Sequence, residues 1–214
     1  RVIARRDRNW TGADELRTQL RAEGVLVEDT ASGYKLRSLH GRELIPSNWN
    51  CIAGPNELEF PSESTTVFDV SVVLVNTDYL QDIVRCVAGI VANANGYSLE
   101  IIIVQNGIRE EVDQQLEELY HDWGNVTILH IEGPIGDSAA KNAGLRISRG
   151  TNLILIDSCV EVTGDILGPI LEALEDDSIG IVGPWGLKSM DLKSFEEKTS
   201  GKVDAMQAYC FAFR

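Results

Sequence analysis

The sequence lacks a long apolar segment, a paired cysteine pattern and an excess of positive charge. No apolar run approaches the roughly 18 residues that a membrane-spanning helix needs, so we do not expect an integral membrane protein. The four cysteines lie far apart without a C-x-x-C pair, a spacing that fits neither a disulfide framework nor a zinc knuckle. We therefore predict reduced thiols in a cytoplasmic protein whose full-length parent could lie at the membrane surface.

The charge of the chain is negative and unevenly distributed. The 214 residues carry a formal net charge of −14, yet residues 1–42 hold nine Lys and Arg against six Asp and Glu, which gives +3. Residues 43–214 hold ten basic side chains against 27 acidic ones, which gives −17. A segment this acidic repels phosphate backbones, so we do not expect it to bind nucleic acid through charge alone.

Composition divides the chain into three segments. Residues 1–37 show apolar side chains at three- and four-residue spacing, then two short apolar runs around a turn-rich stretch, which predicts a helix and a hairpin. Residues 38–66 are rich in proline, serine and threonine and are predicted to be a linker. Residues 67–214 read as the main domain. The chain starts at Arg1 and stops at Arg214 within an apolar run, so we expect a fragment whose main domain is incomplete at its C-terminus.

The main domain alternates short apolar runs with helical patterns. Runs of this kind are typical of strands buried on both faces of a parallel sheet, with helices in the right-handed crossovers. The alternation predicts an open three-layer α/β sandwich. The predicted strands are 70–75, 101–104, 126–131, 153–156 and 179–182, and the predicted helices are 79–94, 110–121, 137–148 and 165–175.

Polar segments follow the predicted strands, at the edge where such sheets bind their ligands. Asp157 comes directly after the fourth strand and could hold a divalent cation that bridges phosphates, or could cap the turn that follows. Asn106 begins an Asn-Gly turn that needs no ligand to explain it. Lys141 could pair with a phosphate or remain a solvated helix lysine. The loop 133–136 could present amides to an anion, but it matches neither a dinucleotide fingerprint nor a P-loop.

Four blocks occur in a definite order along residues 69–214. The first two are apolar strands that end in polar turns, at 69–78 and 100–107. The third block runs from Gly136 to Leu145 and is similar to a helix with the pattern Gly-x-x-x-Ala-Arg-Asn-x-Gly. The fourth block, 153–159, is an apolar strand followed by Asp-Ser-Cys, which is similar to an Asp-x-Asp metal motif. Residues 203–205 and 210–214 form a further block near the end of the chain. Together these blocks resemble family 2 glycosyltransferases, which have the GT-A fold.

This resemblance implies a donor domain that binds a nucleotide-diphosphate sugar for transfer to an acceptor hydroxyl, with inversion. The acceptor would be a carbohydrate or a lipid-linked molecule. The family's catalytic base normally lies in a segment beyond Arg214, so no catalytic residue is assigned here and we expect this fragment to be inactive. Mn²⁺ or Mg²⁺ would be held by Asp157 and face the diphosphate. The donor-binding residues implied by the resemblance are Asn76, Thr77, Asp78, Gln105, Asn106, Gly136, Lys141, Asn142 and Asp157.

The sequence departs from the family pattern at two positions. Gln105 stands where a base-contacting Asp is expected, and Cys159 replaces the second acid of the metal motif. A neutral thiol is a poor ligand for Mg²⁺ or Mn²⁺, which prefer oxygen. The alternative is therefore a non-catalytic interaction or tRNA-associated module with a degenerate donor site. A nucleotidyltransferase ranks last, because the turn at 76–78 is not a glycine-rich basic loop.

Residues 1–37 resemble the C-terminal end of cysteinyl-tRNA synthetase. The resemblance rests on Arg5-Arg6-Asp7-Arg8-Asn9-Trp10, then Ala13-Asp14, and finally Glu28-Asp29-Thr30. It covers under a fifth of the chain and includes none of that enzyme's zinc or ATP motifs. We expect a structural cap in preference to a tRNA contact, because a charge of +3 is small.

Overall fold

The structure is a computed structural model that describes residues 9–30, 33–39, 49–60, 67–76, 79–107 and 109–214. The chain divides between Trp49 and Asn50 into two compact units. No helix in the described ranges is long and apolar enough to cross a membrane.

The N-terminal unit is a helix followed by a hairpin, as predicted. Helix α1 (Trp10–Ala22) begins where the Asn9 side chain accepts a hydrogen bond from the Gly12 amide at 3.0 Å. Gly24 follows the helix with φ +77°, a left-handed conformation that glycine adopts without strain. Strands β1 (Val25–Thr30) and β2 (Gly33–Ser38) then pair antiparallel from Val25 opposite Ser38 to Thr30 opposite Gly33. Both strands extend into the segment that we expected to be turn.

The C-terminal unit contains the remaining strands and helices. The strands are β3 (Cys51–Ile52), β4 (Phe68–Asn76), β5 (Leu99–Asn106), β6 (Val126–Ile131), β7 (Gly150–Ile156), β8 (Ile181–Val182), β9 (Gly186–Lys188), β10 (Glu196–Lys198), β11 (Ala205–Met206) and β12 (Cys210–Phe213). The helices are α2 (Leu80–Ala92), α3 (Glu110–Tyr120), α4 (Asp137–Ile147) and α5 (Leu167–Leu174).

Seven strands form the main sheet in the order β3-β6-β5-β4-β7-β12-β8. The first five are parallel, and β12 runs antiparallel to both of its neighbours. From β4 the chain adds β5 and β6 on one side and then crosses to add β7 on the other. The strand order therefore reverses between β4 and β7, which is where open α/β sheets form a ligand crevice beyond the carboxyl ends of the strands.

The sheet is covered by helices on both faces, which confirms the three-layer sandwich. One core packs alternate residues of the central strands, such as Val72 and Leu74, against α2, α3 and α5. The other packs the intervening residues, such as Val73 and Val75, against α4. Because successive side chains of a strand point to opposite faces, a strand covered on both sides is mostly apolar on both. This explains the continuous apolar runs of β4 and β5.

Two parts of this unit differ from the expectation. Cys51 and Ile52 lie within the predicted linker, yet they pair with β6 and form one edge of the main sheet. Strands β9, β10 and β11 form a separate antiparallel sheet that the alternation did not reveal. Short exposed strands such as Glu196–Lys198 carry no apolar periodicity, so a pattern of buried residues cannot find them. The proposed limits of the linker stay a prediction.

Candidate active site

The carboxyl edge of the main sheet brings together residues that are far apart in sequence. Asn76 ends β4, Asn106 ends β5, and Asp157 directly follows β7. Asn76 lies opposite Gln105 in the parallel register of β4 and β5. Parallel strands present their carboxyl ends at one edge, so four of the predicted site residues share this edge. Thr77 and Asp78 lie outside the described residues.

Asn76 and Gln105 form a buried amide pair beneath the edge. The Nδ2 of Asn76 donates to the Oε1 of Gln105, and the two side chains are only 5% and 1% exposed. The Oδ1 of Asn76 is buried and has no partner among the described residues. A buried polar atom without a partner costs about 1–3 kcal/mol, so this oxygen can gain from a ligand that supplies a donor. Gln105 supports Asn76 and is not itself displayed at the surface.

The loop after β5 is joined to the loop after β6. The Oδ1 of Asn106 accepts a hydrogen bond from the Ile135 amide at 3.0 Å. Gly107 adopts φ +101° and lies so close to Pro134 that an added Cβ would be 3.4 Å from the proline ring. Asn106 thus does more than form a turn, because it fixes the approach of the chain to α4.

Lys141 lies between two carboxylates at the switch point. Its Nζ is 2.9 Å from the Oδ2 of Asp137 and 3.2 Å from the Oδ1 of Asp157. Burial lowers the pKa of Lys141, but the two carboxylates outweigh it and the net shift is upward, so the ammonium stays charged. Only 15% of the Lys141 side chain is exposed, compared with 40% for Asp157. Lys141 is therefore not a solvated helix lysine.

Backbone contacts fix Asp157 at the start of its turn. Its amide donates to the Tyr209 carbonyl at 2.8 Å, and its carbonyl accepts from the Val160 amide at 3.0 Å. Tyr209, the residue that precedes β12, therefore holds the backbone of Asp157 in place. The next residue, Ser158, is buried, and its Oγ has no partner within the described part of the chain. Cys159 is exposed.

The two other residues assigned to α4 lie at the margin of this cluster. Gly136 is the N-cap of α4 with φ +86°, a conformation that favours glycine there. Asn142 is exposed, and a residue adjacent to Lys141 on a helix points about 100° away from it, as 3.6 residues per turn requires. The structure does not bring Asn142 into the cluster with Asp157.

A family model for glycosyl transferase family 2 matches residues 71–207, which is more than half of the chain. The chain belongs to glycosyl transferase family 2. Its structure is similar to that of a mannosyltransferase from Pyrobaculum calidifontis, solved in complex with GDP-Man and Mn²⁺, with a TM-score of 0.52 and 16% sequence identity. The match covers 80% of this chain and 49% of that chain, so this chain spans about half the length of that relative. The likeness establishes the GT-A fold.

The residues of this family 2 domain can supply only part of a metal site. No group of three or more His, Cys, Asp or Glu side chains that could hold a metal ion occurs among the described residues. Asp157 offers one carboxylate, partly exposed and already paired with Lys141. Mg²⁺ is commonly held by one or two carboxylates together with substrate phosphates and water, so Asp157 fits a cation that arrives with the diphosphate.

The motif comparison missed Asp137, which lies 2.9 Å from the Lys141 ammonium. Its spacing of i, i+4 from Lys141 on a predicted helix was the available signal, because residues four apart on a helix are neighbours. Asp137 and Asp157 together with Lys141 leave the cluster with one excess negative charge.

Proposed function

We propose that residues 67–214 bind a nucleotide-diphosphate sugar at the carboxyl edge and serve as the donor domain of a glycosyltransferase. The observation that carries this proposal is the Asp137–Lys141–Asp157 cluster at the strand-order switch of a family 2 domain. Membership of the family supports the reaction class. A solved structure with the same fold binds GDP-Man, which supports the donor class.

The base and ribose would lie over the turns that follow β4 and β5. Asn76 offers there its Oδ1, which accepts no hydrogen bond from any described residue, and the Gln105 side chain binds the Nδ2 of the same amide. Thr77, Asp78 and Asn106 complete this part of the proposed site. Gly136, Lys141 and Asn142 would lie on the diphosphate side, where the Lys141 ammonium can turn from a carboxylate to a phosphate oxygen.

The charge of the cluster favours a cation at the diphosphate. Two carboxylates and one ammonium give −1, in a chain whose net charge is −14, so an incoming diphosphate meets repulsion. We propose that Asp157 holds Mn²⁺ or Mg²⁺ when the donor is bound. The metal would neutralise the leaving diphosphate as the acceptor hydroxyl attacks the anomeric carbon.

The acceptor side of the reaction is proposed from the family resemblance alone. It comprises a carbohydrate or lipid-linked acceptor, an inverting transfer and a catalytic base outside these 214 residues. The proposed cytoplasmic location rests instead on the dispersed cysteines. Donor binding, and not turnover, is therefore the activity to measure in this chain.

A non-catalytic module is the second candidate, and one observation favours it. Gln105 is hydrogen-bonded to Asn76, and Asp157 is paired with Lys141. These contacts are also expected of a degenerate donor site that no longer binds a nucleotide. In either case we propose that the N-terminal helix and hairpin form a structural cap and do not bind tRNA. The similarity of that unit to cysteinyl-tRNA synthetase rests on the sequence blocks given above.

Calorimetric titration with UDP, GDP and dTDP, with and without Mn²⁺, tests the proposal. We expect one nucleotide to bind and to require the metal. Asp157→Asn should abolish the metal enhancement, and Cys159→Asp should increase it. Asp204→Asn is a matched control, because it removes a similar Lys–Asp contact, to Lys188 at 2.9 Å, in the small sheet. A folded sample that binds none of the three nucleotides would favour the non-catalytic module.

A further inference from the structure

A histidine with both ring nitrogens bonded to carboxylates is buried beneath α3. His130 on β6 has no exposed side-chain surface, and its Nδ1 lies 2.8 Å from the Oδ1 of Asp113. Its Nε2 lies 2.8 Å from the Oε1 of Glu117, one turn further along α3. Asp113 is also fully buried, while Glu117 is 20% exposed. Neither carboxylate belongs to the donor cluster at Asp157.

This arrangement favours a protonated ring. A neutral imidazole has one N–H, so it can donate to only one of two carboxylates, whereas an imidazolium donates to both. Burial lowers the pKa of His130, but hydrogen bonds and charge from Asp113 and Glu117 outweigh it, and the pKa is raised. The neighbours of His130 in the sheet are Gln105 on β5, which is neutral, and the Cys51 thiol on β3.

The second oxygen of Asp113 reaches the loop after β5. Its Oδ2 accepts a hydrogen bond from the Arg109 amide at 2.5 Å. Arg109 is the N-cap of α3, and its side chain makes no capping hydrogen bond. The buried Asp113 carboxylate, one turn into α3, accepts the bond from the Arg109 amide instead. His130 orients Asp113, and Asp113 fixes the residue at which the loop ends.

The same loop begins in the proposed donor site. Gln105 lies opposite His130 in the sheet and opposite Asn76 on its other side. By strand alternation the three side chains share the face that packs against α2, α3 and α5. At its start the loop is held by Asn106, through the Ile135 amide. At its end it is held by Asp113. Asn106 and Arg109 are therefore each held in place by a hydrogen bond.

We propose that His130, Asp113 and Glu117 are positioning residues that hold Arg109 and the start of α3 in the arrangement that favours nucleotide binding at the turn after β5. This inference rests on the proposed donor site. Loss of the His130 proton would leave one buried carboxylate without its donor and loosen the start of α3. Nucleotide affinity should then be full at neutral pH and fall as the pH rises through the raised pKa of His130, because the stabilisation exists only while the ring is charged.

Nucleotide affinity measured from about pH 6 to about pH 10 tests this inference, with His130 followed by NMR through its ring resonances. We use the nucleotide that binds best among UDP, GDP and dTDP, with Mn²⁺. Glu117→Gln keeps an acceptor for Nε2–H but removes a charge, so the midpoint of the affinity profile should move to lower pH together with the His130 titration. His130→Gln should weaken binding about tenfold and flatten the profile.

Glu100→Gln is the matched control. Glu100 is a buried carboxylate on the same central sheet, but it lies at the opposite edge and contacts Ser71 and Arg149. It should lose stability and keep both the affinity and its pH profile. If Glu117→Gln shifts the His130 titration but leaves the pH profile of nucleotide affinity unchanged, the positioning role is overturned. Failure of the parent protein to bind any nucleotide at any pH would instead overturn the proposed donor site, and the inference with it.

Discussion

Gly144→Ala tests how closely α4 must approach the sheet in order to place Lys141 beside Asp157. Gly144 lies on the buried face of α4, one turn after Lys141. A Cβ at this position would lie 2.4 Å from the Cγ1 of Val73 and 3.0 Å from the Cγ2 of Val104. Both valines are β-branched and fully buried, so neither side chain can rotate away freely. The helix must therefore shift outward or the core must distort.

Two opposing terms set the size of the effect. Replacing glycine by alanine inside a helix gains about 1 kcal/mol in helix propensity. Forcing a methyl group into a well-packed core costs about 1–3 kcal/mol. We expect a net loss of about 1 kcal/mol in the free energy of unfolding, between no change and a loss of about 2 kcal/mol. The outward shift should also lengthen the contact from Lys141 to Asp157, now 3.2 Å, and weaken nucleotide binding.

Urea denaturation and nucleotide titration of the same samples measure both effects. Gly124→Ala is the control, because a Cβ added there meets nothing within 4 Å. A gain of about 1 kcal/mol in Gly144→Ala, with unchanged affinity, would show that propensity acts alone and that α4 does not need the close approach described here.

Two further predictions concern buried groups in the main sheet and its core. Glu100→Gln should lower the free energy of unfolding by about 2–3 kcal/mol. The carboxylate of Glu100 accepts hydrogen bonds from the Arg149 amide at 2.8 Å and from Arg149 Nε at 2.9 Å, and the side-chain nitrogen of a glutamine cannot accept either bond. Equal stability of the variant and the parent in a urea titration would refute this. Burial raises the pKa of Cys86 to about 12 and of Cys210 to about 11, so a thiol reagent at about pH 8 should leave both unmodified in the folded protein and react with exposed Cys159. Rapid labelling that persists in Cys159→Ser at either buried thiol would contradict that assignment.

The sequence predicted the layers of the fold well because burial imposes a simple pattern. Strands β4 to β7 are mainly apolar since α2, α3 and α5 cover one face and α4 the other. The motif at Asp157 was found for the same reason, as the first charged residue after such a run. Strand β3 has only two residues and could not be read from periodicity.

The side-chain partnerships at the edge were harder to predict. The pairing of Asn76 with Gln105 depends on the parallel register of β4 and β5, and a shift of one residue would separate them. Lys141 could be placed on a helix, but its contact with Asp157 depends on how closely Gly144 lets α4 approach the sheet. The sites of Asp113 and His130 are fixed by packing between α3 and β6, which a single sequence does not reveal.

The two departures from the family pattern have different consequences once the contacts are known. Gln105 is buried and accepts a hydrogen bond from Asn76. An aspartate in its place would put a charge in this buried position, which would be costly without a charged partner, and the neutral amide avoids that cost. Cys159 is exposed and leaves Asp157 as the remaining acid of the motif. The first change is accommodated by the structure, whereas the second removes an acidic ligand, and the neighbouring described carboxylate, Asp137, is already bound to Lys141. Metal affinity, and not base recognition, is therefore the property in which this domain should differ most from a family member with two acids.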